Sequence, residues 1–130
     1  MKREIITIDE YGGLKMPSDT AAIWMSEAEI IELFGTTAGA VHTGIKAIFK
    51  ENALHDYEVC KYVRSENGNG ADVYNLEMVA ALAFRIRSQG ATRLREYILR
   101  TLGTVSKPTA INILMACTHK TGGHSRQIFN

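Results

Sequence analysis

Hydrophobic and polar positions follow two different periods along this chain. Glu4 to Asp9, Glu-Ile-Ile-Thr-Ile-Asp, is a β-branched run that predicts a short strand. Tyr11-Gly12-Gly13 is a turn signal, and Leu14-Lys15-Met16 predicts a returning strand that Pro17 stops. Ala22-Ile23-Trp24-Met25 is too short for a helix and predicts a third strand, the three together forming a small N-terminal sheet. From Ser26 the period lengthens. Ser26-Glu27-Ala28-Glu29 has the spacing of a capping box, in which the serine hydroxyl takes the Glu29 amide and the Glu29 carboxylate reaches back. Ile30, Ile31, Leu33 and Phe34 then give an apolar helical face, and Gly35 predicts a left-handed cap. Thr36 or Thr37 can cap the next helix at once. In that helix Val41, Ile45, Ile48 and Phe49 fall on one side, and it is expected to end near Glu51 and Asn52.

Strand composition returns in residues 59–64 and 72–74. Between them Asn67-Gly68-Asn69-Gly70 offers residues that accept the positive φ of a hairpin loop. Asn75 predicts the cap of a helix over residues 76–88, with Leu76, Val79, Leu82, Ala83 and Ile86 inward. Gly90 is read as its breaker. A last amphipathic helix over 91–102 puts Leu94, Tyr97, Ile98 and Leu102 on one side, and Gly103 closes it. Residues 110–117 are apolar enough for a short helix or strand, and 118–130 are polar. The expected fold is α+β. A domain over residues 1–102 holds the N-terminal sheet, a winged helix-turn-helix and closing helices, and residues 103–130 form a C-terminal extension.

Composition narrows the class. The chain has 130 residues, 45% of them hydrophobic and 22% charged, which suits one domain with its own core. No apolar run approaches the roughly 18 residues of a membrane span, and Met1-Lys2-Arg3-Glu4 lacks the apolar core of a signal peptide. Two cysteines, Cys60 and Cys117, are too few for a disulfide scaffold and point to the cytoplasm. The net charge of +1 hides an asymmetry: residues 1–60 carry 5 Lys and Arg against 10 Asp and Glu, and residues 61–130 carry 10 against 4. An anionic partner for the second half, or docking of one half on the other or on a second copy, would use that asymmetry.

Helix, glycine turn, helix, strand, loop and strand, in that order, is the layout of a winged helix-turn-helix. Its second helix would be the recognition helix. Opposite Val41, Ile45, Ile48 and Phe49 it shows Gly39, Ala40, Thr43, Lys46, Ala47 and Lys50. Thr36 or Thr37 would meet a phosphate at the helix N-terminus, Thr43, Lys46 and Lys50 would line the major groove, and Lys61, Arg64 and Asn69 would serve the wing. That face has no Arg, Asn or Gln for bidentate base contacts, so phosphate contacts dominate the expectation.

A resemblance points the same way. Ile23-Trp24-Met25-Ser26 leading into Leu33-Phe34-Gly35, then Ile45-Lys46-Ala47-Ile48-Phe49-Lys50-Glu51, Val73-Tyr74-Asn75-Leu76-Glu77 and Ala83-Phe84-Arg85-Ile86 resemble, in order, the RhuM family of virulence proteins from bacterial mobile elements. The similarity covers about residues 5–102. It implies a DNA-binding accessory or regulatory module of a mobile element or prophage. Duplex DNA is the expected partner, and a homodimer, with residues 111–115 as its contact, is the expected assembly. The alternative is a non-catalytic protein-interaction module on the same fold, using the hairpin and the acidic first helix.

Other chemistry finds less support in the sequence. Cys117, His119 and His124 have irregular spacing for a metal site, so no metal is expected. His42 has no nucleophile or carboxylate spaced to pair with it, and His55-Asp56 suits a loop. Asn67-Gly68-Asn69-Gly70 lacks the Lys and Ser/Thr of a phosphate loop. Trp24 reads as a core anchor, and Arg93, Arg95 and Arg100 as a solvated helix face. No catalytic constellation emerges, and neither enzymatic activity nor a cofactor is expected.

Overall fold

The computed structural model describes residues 2–64 and 68–104. These described residues form a mixed α+β fold of five α-helices and two small antiparallel sheets. Strands β1 (Thr7–Ile8) and β2 (Leu14–Lys15) form a hairpin with Thr7 opposite Lys15. Its turn is held by the Asp9 carboxylate, which accepts the amides of Tyr11 at 2.9 Å and Gly13 at 2.8 Å, while Gly12 takes φ 81°. Those two amides hold the Asp9 carboxyl below the usual carboxylate range.

The third expected strand belongs elsewhere. A single 3-10 turn, Thr20–Ala22, precedes β3 (Trp24–Ser26), and β3 joins the second sheet in the order β3-β5-β4. A parallel bridge, Glu4 with Ile23, and the Arg3 guanidinium on the Trp24 carbonyl at 2.9 Å tie the N-terminal segment to it. Alternation explains the choice: Met25 points into the core beside Tyr74, its partner on β5, and both are buried. Trp24 therefore faces the other way. It is only half-buried, so it is not the expected core anchor; its ring carries the Lys61 ammonium 4.1 Å above the centroid.

Helix α1 (Glu27–Phe34) has its capping box, with the Glu29 amide on Ser26 Oγ at 3.3 Å and the Ser26 amide on Glu29 Oε1 at 2.9 Å. Gly35 follows at φ 63°, ψ 42°, its amide on the Ile31 carbonyl at 2.8 Å. Thr37, not Thr36, caps α2 (Ala38–Lys50) by accepting the Ala40 amide at 3.1 Å. Val41, Ile45 and Ile48 are buried and Phe49 half-buried. A short helix, α3 (Asp56–Val59), enters where a loop and the first residue of a strand are expected, followed by β4 (Cys60–Arg64) and β5 (Gly70–Asn75) in antiparallel register.

Asn75 caps α4 (Leu76–Ala83) through the Met78 amide at 3.2 Å. Residues 78–83 of this helix are all buried, as befits a central rod. It stops five residues before the expected end at Ser88. The Arg95 guanidinium explains the stop, because it donates to the carbonyls of Ala83 and Ile86 and so satisfies an unwound turn. Ser88 then caps α5 (Gln89–Thr104) by accepting the Ala91 amide at 3.1 Å. Gly90 is no breaker. It lies in the first turn of α5, pressed on α1 so closely that a Cβ there would sit 2.1 Å from the Leu33 carbonyl oxygen. Gly103 lies within α5, so the helix passes the expected boundary at residue 102. No helix among the described residues is long and apolar enough to cross a membrane.

Candidate nucleic-acid interface

The exposed side of α2 follows from its buried one. With Val41, Ile45 and Ile48 inward, the 100° step per residue turns Gly39, Thr43, Lys46 and Lys50 outward. Thr43, Lys46 and Lys50 are exposed, and neither lysine has a carboxylate partner among the described residues. Thr36 is half-buried, and Thr37 is exposed but uses its oxygen on the helix cap. The acidic groups of α1 are partly committed: Arg3 holds Glu29 at 2.7 and 3.1 Å, and Glu27 lies 3.6 Å from His42 Nδ1.

The hairpin does not act as a single basic surface. Strand alternation sends Lys61 to one face of the sheet, over Trp24, and Arg64 to the other, beside Tyr62. Arg64 and Asn69 are exposed; Lys61 is half-buried. Tyr62 lies across Gly70, where a Cβ would collide with its ring. The wing residues Lys61 and Arg64 thus do not share one face.

Sequence reasoning missed a third group. An open groove of about 1210 Å³ runs between α2 and the turn joining α4 to α5. One wall is Thr36, Thr37, Gly39, Ala40, Thr43, Gly44 and Ala47, none larger than threonine. Across it stand Arg85, Arg87, Ser88, Thr92 and Arg95 over Phe84 and Ile86. No acidic residue lines it among the described residues. Arg85 is paired with Glu51 at 3.3 Å, whereas Arg95 is held by carbonyls and by Thr92 Oγ1 at 2.7 Å. Neutral acceptors fix the Arg95 side chain without cancelling its charge. Arg87 is exposed and has no carboxylate partner among the described residues. The arginines expected on a solvated helix face are not all so placed: Arg95 enters the groove, while Arg93 packs beside Gly12, where a Cβ would lie 3.2 Å from its Nη2.

The remaining candidates take ordinary places. His55 stacks on Tyr57 at 5.4 Å between ring centroids. Burial, with the carboxylates of Asp72 and Asp56 nearby, pushes the Cys60 thiol up, which leaves it protonated at neutral pH. Cys117, His119, His124 and the 111–115 contact lie outside the described residues. Among the described residues no group of three or more His, Cys, Asp or Glu is placed to hold a metal ion. No protein-family model, curated protein or solved structure matches this chain.

Proposed function

We propose that this chain binds duplex DNA as a winged helix-turn-helix, with α2 as the recognition helix and the β4–β5 hairpin as the wing. The observation that carries the reading is the pair Lys46 and Lys50. Like charges four residues apart on an exposed helix face cost a few tenths of a kcal/mol, roughly 0.2–0.5, and no carboxylate among the described residues compensates them. An anionic partner would. The framework suits the role, because β3 leads into α1 and also pairs with β5, so hairpin and helices share one sheet. Thr43 lies on the same face, and Arg64 and Asn69 stand exposed on the hairpin. Phosphate contacts dominate here, since the α2 face offers no Arg, Asn or Gln for bidentate base readout. A role as an accessory or regulatory protein of a bacterial mobile element rests on the RhuM resemblance alone.

The protein-interaction reading has one observation of its own. Tyr57 on α3 and Tyr62 on β4 are 79% and 61% exposed, and tyrosine is enriched at protein interfaces. Titration of a random-sequence duplex at two salt concentrations separates the readings. Lys46→Ala with Lys50→Ala is expected to weaken binding and to reduce the log–log salt slope by about 2, close to one for each phosphate no longer neutralised. Unchanged affinity in the double variant rejects α2 as the DNA-contacting helix.

A further inference from the structure

The groove between α2 and the α4–α5 turn is larger than a helix cap requires and has a single sign of charge. We propose that it is a second nucleic-acid contact, which seats a stretch of phosphodiester backbone between the small-residue side of α2 and the arginines of the turn. The proposal rests on the DNA-binding reading above and extends it to residues outside the helix-turn-helix and hairpin. Three features fit this occupant. The α2 wall carries nothing larger than threonine, so a sugar–phosphate chain can approach the helix backbone. Facing it are the uncompensated charges of Arg87 and Arg95, and the Arg95 side chain is already held in place by Ala83, Ile86 and Thr92. A preorganised guanidinium loses less freedom on meeting a phosphate than a mobile lysine does. Thr36 and Thr43 line the same space, and no carboxylate among the described residues opposes an anion there.

Gly39 allows a test that spares the fold. A Cβ at Gly39 meets nothing within 4 Å, and a helical glycine gains stability on replacement. Gly39→Glu places a carboxylate at the groove near the helix N-terminus, where negative charge suits the helix. The melting temperature of this variant is expected to match or exceed that of the unaltered protein, while duplex affinity falls at least tenfold. Gly39→Gln, of equal size and neutral, is expected to lose clearly less than Gly39→Glu, because it adds bulk to the wall but no charge. Arg87→Ala is expected to lose about eightfold at 100 mM salt and to lower the salt slope by about 1. Suppose instead that Lys46→Ala with Lys50→Ala weakens binding while Gly39→Glu and Arg87→Ala leave it unchanged. The groove is then not a contact, although α2 remains one. Equal losses in Gly39→Glu and Gly39→Gln also overturn the proposal, because bulk and not charge would be responsible. Absence of duplex binding by the unaltered protein at low salt rejects the DNA reading itself, and the groove contact with it.

Discussion

Gly35 and Gly90 meet at the same end of α1 and are needed for different reasons. Gly35 takes φ 63° with open space where a Cβ would be, so only its backbone conformation matters. Gly35→Ala is expected to cost about 1 kcal/mol, seen as a modest drop in melting temperature. Gly90 has ordinary torsions but lies against the backbone of Leu33 and Phe34, which cannot yield as a side chain can. Gly90→Ala must push α5 off α1 and is expected to cost about 3 kcal/mol. Thermal melts check the ranking; equal losses would contradict it. Glu29 supplies a pH-dependent term. Burial raises its pKa, but the Arg3 guanidinium and the Ser26 amide pull harder, and the folded value lies below the ordinary 4.5. The resulting stability is fully present above pH 4.5 and is lost as pH falls through the lower folded value. Glu29→Gln is therefore expected to shrink the drop in melting temperature on the acid side. An unchanged acid limb would show that the Arg3 pairing contributes nothing.

Helix caps set where the elements begin, and Thr37 sets the start of the helix proposed to meet DNA. Thr37→Ala removes the acceptor of the Ala40 amide and is expected to cost about 1 kcal/mol. Thr37→Asp keeps the cap and the fold but adds a negative charge at the groove, so it is expected to melt normally and bind duplex less well. A Thr37→Asp variant with undiminished affinity would argue against phosphate near this terminus. Caps are also the most legible part of the sequence. The Ser26 capping box, the left-handed Gly35, the apolar side of α2 and the Asn75 cap are short-range signals, and each forms as its residues dictate. What the sequence hides is set by distant partners. Nothing local says that β3 pairs with β5, about fifty residues along the chain, rather than with the nearby β2. The early end of α4 depends on Arg95, and the helical place of Gly90 on the surface of α1. Lys46 and Lys50 are visible on a helical wheel. The groove is not, because its walls come from segments about forty residues apart.

The charge asymmetry of the chain takes physical form in the folded molecule. Acidic groups of the first half are met in part by bases, Glu29 by Arg3 within that half and Glu51 by Arg85 of the second. Among the described residues, the basic groups left without carboxylate partners include Lys46 and Lys50 on α2 and Arg87 across the groove from it. In the proposed reading these groups would meet the anion, with α2 at the centre of the contact. Isolated surface charges contribute little to stability, and their effect belongs to binding instead. The most direct measurement is a backbone-amide NMR titration of the whole chain with a short random-sequence duplex at low salt. DNA binding through α2 predicts the largest shifts at Thr43, Lys46, Ala47 and Lys50, with smaller ones at Arg64 and Asn69. Shifts confined to the His55–Tyr57 and Tyr62 region, with the α2 amides unmoved by added duplex, would contradict it.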